Sequence, residues 1–176
     1  MKTFRDLVIV KQPLPQVYSM VRDRLPEIAA ELDDIAAIVC LEHTRLEDGR
    51  HRCTNRWTSS QRIPALLQGH LGAADVSWLD RNEWDDQGHV CTWSIEPSLL
   101  AEHIRCTGRT SFEPAMGGRG TRVTLSGEFA LAPGALKSLA GPLEQPALAC
   151  VESIVTVFIP RNLRKVVEAA ARASAA

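Results

Sequence analysis

Six β-patterned runs follow one another between Ala37 and Leu131, most of them separated by no more than a hairpin turn. Strands joined that tightly are antiparallel, because a parallel pair needs a crossover of a dozen residues or more. This excludes a TIM barrel and a Rossmann sheet. The predicted runs are 37–46, 50–60, 76–84, 89–95, 101–113 and 121–131. Glu47-Asp48-Gly49 and Asp85-Asp86-Gln87-Gly88 supply turns with strong hairpin chemistry. The last run alternates plainly, with Val123, Leu125, Phe129 and Leu131 on one face and Arg122, Thr124, Ser126 and Glu128 on the other, so one face is buried and one is wet. Gly117-Gly118-Arg119-Gly120 lies between two strands with no helix after it to receive an anion, and is a hairpin turn rather than a phosphate loop.

Helical periodicity brackets these runs. A first short strand, 3–10, leads through Pro13 and Pro15 into a stretch where Val17, Tyr18, Met20, Val21 and Leu25 share a face. Pro26 interrupts it before Ile28, Ala29 and Leu32, which predicts two short helices with a kink. After Gly141, Pro142 opens a stretch to about Ala173 in which Leu143, Ala147, Val151, Ile154, Val155, Phe158, Leu163, Val166, Val167 and Ala170 recur at helical spacing. At about 1.5 Å per residue this predicts a helix of roughly 46 Å. A compact chain of this length is only about 40 Å across, so the helix must span it and the sheet must wrap the helix.

A chain of 176 residues buries roughly 70% of its unfolded surface, enough for one domain over 1–176 to fold on its core alone. The composition is 45% hydrophobic without an apolar run of membrane-spanning length, and the charged start, MKTFRDLVIVKQP, does not read as a signal peptide, which predicts a cytoplasmic protein. A net charge of −1 with both signs interspersed argues against nucleic acid as a partner. Cys40, Cys53, Cys91, Cys106 and Cys150 contain no CxxC pair and read as reduced, small hydrophobes. His51-x-Cys53 and His89-x-Cys91 each put two metal-ligating groups on one strand face, but no tight C-x2-4-C or H-x3-5-H turn accompanies them, so neither metal nor other cofactor is expected.

With the strand 3–10, the paired helices over 13–32, the six strands over 37–131 and the helix from Pro142, nearly the whole chain resembles the helix-grip fold shared by START domains, the Bet v 1 plant allergens and bacterial polyketide cyclase/dehydrase-like proteins. The resemblance implies an α+β fold: a seven-stranded curved antiparallel sheet wrapped around a long C-terminal helix, with two short helices between strands 1 and 2. It departs from the plant allergens after the second strand, where Glu47-Asp48-Gly49 replaces a glycine-rich loop. It also implies a lipid, polyketide or other apolar ligand held between sheet and helix, and in a minority of relatives catalysis on that ligand.

The residues point to the same hollow. Alternation groups His51, Cys53, Asn55 and Trp57; Val76, Trp78, Asp80, Asn82 and Trp84; Cys91, Trp93 and Ile95; and Ile104, Cys106, Gly108, Thr110 and Phe112, each set on one strand face. If those faces point inward, the hollow combines aromatic walls with a few polar groups, as a ligand site does. The candidate ligand-binding residues are Trp57, Trp78, Trp84, Trp93, Asn55, Asn82, Ile95, Phe112, Phe129, Val151, Val155 and Phe158. His51 and Asp80 are the candidates for proton transfer, and Asp80 would either pair with an arginine such as Arg56 or have its pKa raised by desolvation. The proline- and glycine-containing stretch 61–74 is the candidate lid. Three functions stay open: a carrier or sensor of a small apolar ligand, a cyclase/dehydratase-type enzyme using the same cavity, and a co-chaperone-like interaction module. Homodimerisation is left open as well.

Overall fold

The structure, a computed structural model, describes residues 1–62, 68, 75–98, 101–132, 134–135, 144–153, 157 and 159–175. Its strands are β1 (Lys2–Val10), β2 (Ile35–Arg45), β3 (His51–Arg62), β4 (Asp75–Asp85), β5 (Val90–Pro97), β6 (Ile104–Ala115) and β7 (Gly120–Leu131). They form one antiparallel sheet in the order β1-β7-β6-β5-β4-β3-β2. The hairpin-linked strands lie side by side, and β1 joins the far edge by pairing with β7. Helices α1 (Leu14–Asp23) and α2 (Leu25–Ile28) follow β1, and α3 (Glu144–Ser153) and α4 (Ile159–Ala173) follow the sheet. No described helix is long and apolar enough to cross a membrane.

The strand ends depart from expectation for local reasons. His89 has φ +48° and completes the turn, so β5 starts at Val90. Ala101–His103 form a 3-10 turn ahead of β6. Glu96 and Pro97, beyond the predicted run 89–95, continue β5: β5 pairs with β6 only as far as Ile95, so the missing Pro97 N–H takes no bond from that side. Pro15 and Pro26 fall in the first turns of α1 and α2, where a proline is tolerated. The stretch read as one helix from Pro142 to Ala173 is described as α3 and α4, with Val157 between them in a wider π-type turn. Pro160 is the second residue of α4, where its missing N–H is tolerated. Pro142 and most of 61–74, the expected lid, lie outside the described residues; Gln61 and Arg62 extend β3.

The inner face of the sheet meets α4 in one core. Val8, Val123, Leu125 and Phe129 from the sheet, Val17 and Ile28 from α1 and α2, and Val166, Val167, Ala169 and Ala170 from α4 are all buried in it. Charges on the flanks of α4 tie it to both edges of the sheet. Arg164 donates to the Asp6 carboxylate at 2.7 Å and to the Leu7 carbonyl at 2.8 Å on β1. On the other side Arg161 and Lys165 both reach Asp34 Oδ2 at 2.9 Å, just before β2. Replacing Asp34 by alanine is expected to cost about 1 kcal/mol, measured by urea denaturation, and most of that difference should vanish in molar salt. An equal loss at high salt would make the effect one of packing.

Candidate functional site

A strand turns successive side chains to opposite faces, and burial decides which face is inside. On β3, Cys53, Asn55 and Trp57 are buried while Arg52 and Arg56 are exposed; on β4, Trp78, Asn82 and Trp84 are buried while Arg81 is exposed. Cross-strand register stacks these residues into rows. Trp57 lies opposite Trp78, Asn55 opposite Asp80, Cys53 opposite Asn82 and His51 opposite Trp84; beyond β4, Ile95 faces Asp80, Trp93 faces Asn82 and Cys91 faces Trp84. The Trp57 and Trp78 rings stack at 5.8 Å, and Trp84 lies against Tyr18 and Phe112 at 5.3 and 5.9 Å.

Between this floor and the helices is a cavity of about 90 Å³. All four tryptophans of the chain line it, with Asp80, Asn82, Ile95, Thr110 and Phe112 from the sheet. Val21 and Leu25 close it from α1 and α2, and Asn162, Leu163 and Val166 close it from α4. Thus eight of the sequence candidates meet at one place: the tryptophans, Asp80, Asn82, Ile95 and Phe112. Asn55 and Phe129 are buried on the same face but outside the lining. Val155, Phe158 and the side chain of Val151 lie outside the described residues.

His51 and Asp80 do not come together. His51 is level with Trp84, and its ring is held in a separate polar group: Nδ1 is 3.1 Å from His43 Nε2 and Nε2 is 3.5 Å from Asp86 Oδ2. Asp86 also accepts from the Tyr18 hydroxyl at 3.0 Å and from Arg22 at 2.6 Å. Burial, then the nearby Arg22 charge, lowers the His51 pKa and favours the neutral ring.

Asp80 stands alone in the wall. Arg56 points to solvent on the other face, so no cation meets the carboxylate among the described lining residues. Its Oδ2 accepts from Asn82 Nδ2 at 2.9 Å and Trp57 Nε1 at 3.3 Å. Desolvation outweighs these two hydrogen bonds and pushes its pKa up to about 6. Burial likewise raises the thiols, Cys53 and Cys106 to about 12 and Cys91 well above the ordinary range, so none of the three supplies a thiolate at neutral pH. No group of three or more His, Cys, Asp or Glu among the described residues is arranged to hold a metal ion.

Among known proteins, no family model and no curated sequence matches the chain. Solved structures do. The protein TTHA0849 from Thermus thermophilus superposes with a TM-score of 0.62 at 18% identity, over 99% of this chain and 97% of its own. Zhui aromatase/cyclase from Streptomyces sp. R1128 gives 0.55 at 14% identity, covering 88% and 91%. Norcoclaurine synthase from Thalictrum flavum gives 0.60 at 10% identity, covering 98% and 85%. The fold is the START/Bet v 1-like helix grip. Sequence reading did not name the helical side of the cavity, Val21 and Leu25 from α1 and α2 and Asn162, Leu163 and Val166 from α4. Asn162 is 4% exposed and four residues before Val166, so a polar residue on the apolar stripe of the helix was the signal available.

Proposed function

We propose that this protein binds a small hydrophobic molecule in the cavity between the sheet and α4, as a carrier or sensor. The observation that carries the reading is the wall itself: four tryptophans, Ile95 and Phe112 around one desolvated carboxyl. A cavity of about 150 Å³ holds a benzene. The 90 Å³ here is smaller than that, so it takes only part of an aromatic guest and the remainder lies toward the open mouth. The free thiols at Cys53, Cys91 and Cys106 suit a reducing compartment, and we place the role in the cytoplasm.

Because every tryptophan of the chain lines the cavity, intrinsic emission reports on its occupancy. Bromobenzene, whose heavy atom quenches indole on contact, is expected to reduce emission saturably by at least about half before its solubility limit. Native mass spectrometry of protein purified from cells should also show an adduct of a few hundred daltons or less. Emission unchanged by bromobenzene would overturn the proposal.

A second reading rests on Asp80. A carboxyl with its pKa near 6 is poised to give and take a proton at neutral pH, as a cyclase/dehydratase-type enzyme requires. Two of the structures with this fold carry the names of an aromatase/cyclase and a synthase, which supports keeping it. On this reading Asp80→Asn abolishes turnover of an identified guest while leaving its affinity within a few-fold, and normal turnover by the variant rejects it.

A further inference from the structure

The two halves of the outer sheet face differ in charge. On β1, β6 and β7 it carries Arg5, Arg105, Arg109 and Arg122 against Glu113 and Glu128, and Lys11 and Arg119 extend it at the end where β6 turns into β7. Six exposed cations therefore meet two carboxylates, in a chain whose net charge is −1. On the other half the signs are matched, with Arg50 and Arg52 on Glu83 and Arg81 on Glu96.

Large apolar side chains stand among the cations. Leu7, Ile9 and Met116 are 43%, 49% and 47% exposed. Leu7 and Ile9 alternate with the buried Val8 and Val10, which fixes them on the outer face beside Arg5. Met116 reaches the same face: a Cβ on Gly120, on the side of β7 where Arg122 points to solvent, would fall 2.9 Å from Met116 Sδ. Arg5 pairs with Ser126 and Ser126 with Arg109, so the two arginines stand two strand spacings apart, about 10 Å between Cα atoms. Both line a shallow groove of about 820 Å³ with Ser126, Thr92 and Glu128. Glu128 is the only acid among the described lining residues and accepts from Thr107 Oγ1 at 3.4 Å. Neither Arg5 nor Arg109 makes an ion pair among the described residues.

We propose that this face docks on an anionic phospholipid surface, with a lipid phosphate between Arg5 and Arg109 while Leu7, Ile9 and Met116 enter the headgroup layer. A second copy of the chain would set cations against cations, and a nucleic acid would leave the three apolar side chains unmatched. A lipid interface accepts both kinds of group at once. Docking needs no guest in the cavity and is independent of the binding reading.

Cosedimentation of the full chain with vesicles tests it. Phosphatidylcholine containing about 30% phosphatidylglycerol is expected to bind at least about tenfold more tightly than phosphatidylcholine alone, an advantage lost in about 0.5 M salt. Arg5→Ser with Arg109→Ser should weaken binding to the anionic vesicles by at least about tenfold. Arg52→Ser with Arg56→Ser makes the same charge change on exposed positions of β3 and should stay within about threefold of wild type. Equal losses in the two pairs would reduce the effect to net charge and overturn the site. Leu7→Ser with Ile9→Ser should cost about tenfold at unchanged charge, and undiminished binding would overturn the lipid in favour of a plain polyanion contact. Glycerol phosphate, the soluble headgroup, should leave the vesicle-bound fraction unchanged; complete release by it would make a free phosphate ester the ligand and overturn the docking. Equal binding to the two kinds of vesicle, or none to either, rejects the proposal.

Discussion

Gly108→Ala is expected to destabilise the protein by about 3 kcal/mol, one of the largest effects available from a single methyl group in this chain. Gly108 lies in a row that crosses four strands: Phe4 on β1 pairs with Gly127, Gly127 with Gly108, and Gly108 with Trp93. The two glycines leave a shallow place on the inner face where the Trp93 and Phe4 rings stack with centroids 6.1 Å apart. A Cβ on Gly108 would fall inside 3.0 Å of both the Trp93 ring and the Ser126 carbonyl, and that carbonyl belongs to the paired backbone of β7. The strand cannot give without opening its ladder. Gly127→Ala meets only rings, Phe4 at 2.5 Å and Trp93 at 2.7 Å. Phe4 is half-buried on an edge strand and can swing aside, so the cost should be about 1 kcal/mol. Urea midpoints of the two variants check the order; equal losses would mean that the ring contact, not the carbonyl, sets the limit. Trp93 is also a wall of the cavity, so Gly108→Ala should weaken any guest along with the fold.

That row shows what a sequence read one strand at a time conveys and what it hides. Alternation on β3, β4 and β5 sufficed to group Trp57, Trp78, Asp80, Asn82, Trp84 and Trp93, because period two is a local property and the burial of one member orients the rest. Hairpin-length turns were likewise enough for the order of β2 to β7 apart from the long connection after β3. The closure of β1 onto β7 joins residues some 120 positions apart, and no local pattern encodes the Gly127–Phe4 contact. The fate of His51 was hidden for the same reason: its partner Asp86 comes from the turn after β4, and Tyr18 and Arg22 come from α1. Asp80 posed two local alternatives, pairing with Arg56 or desolvation. Their separation onto opposite faces of the sheet decided for desolvation.

Asp80→Asn is expected to stabilise the protein by about 3 kcal/mol at pH 8 and to change nothing at pH 4. The native carboxyl titrates at about 6, against 3.8 for an unperturbed group. Over that window the folded state binds more protons than the unfolded chain, so stability is complete below about pH 4 and is lost as pH rises through 6. At about 1.4 kcal/mol per pH unit, the ionised form costs the native state about 3 kcal/mol by pH 8. Asparagine keeps an oxygen to accept from Asn82 and Trp57 and never acquires the charge. At pH 4 the protonated acid carries an O–H where asparagine carries its amide, and the two are matched. Urea denaturation of both proteins from pH 4 to 8 should give a difference that grows between about pH 4 and 6 and levels off above about 7, and a pH-independent difference would contradict the desolvated carboxyl.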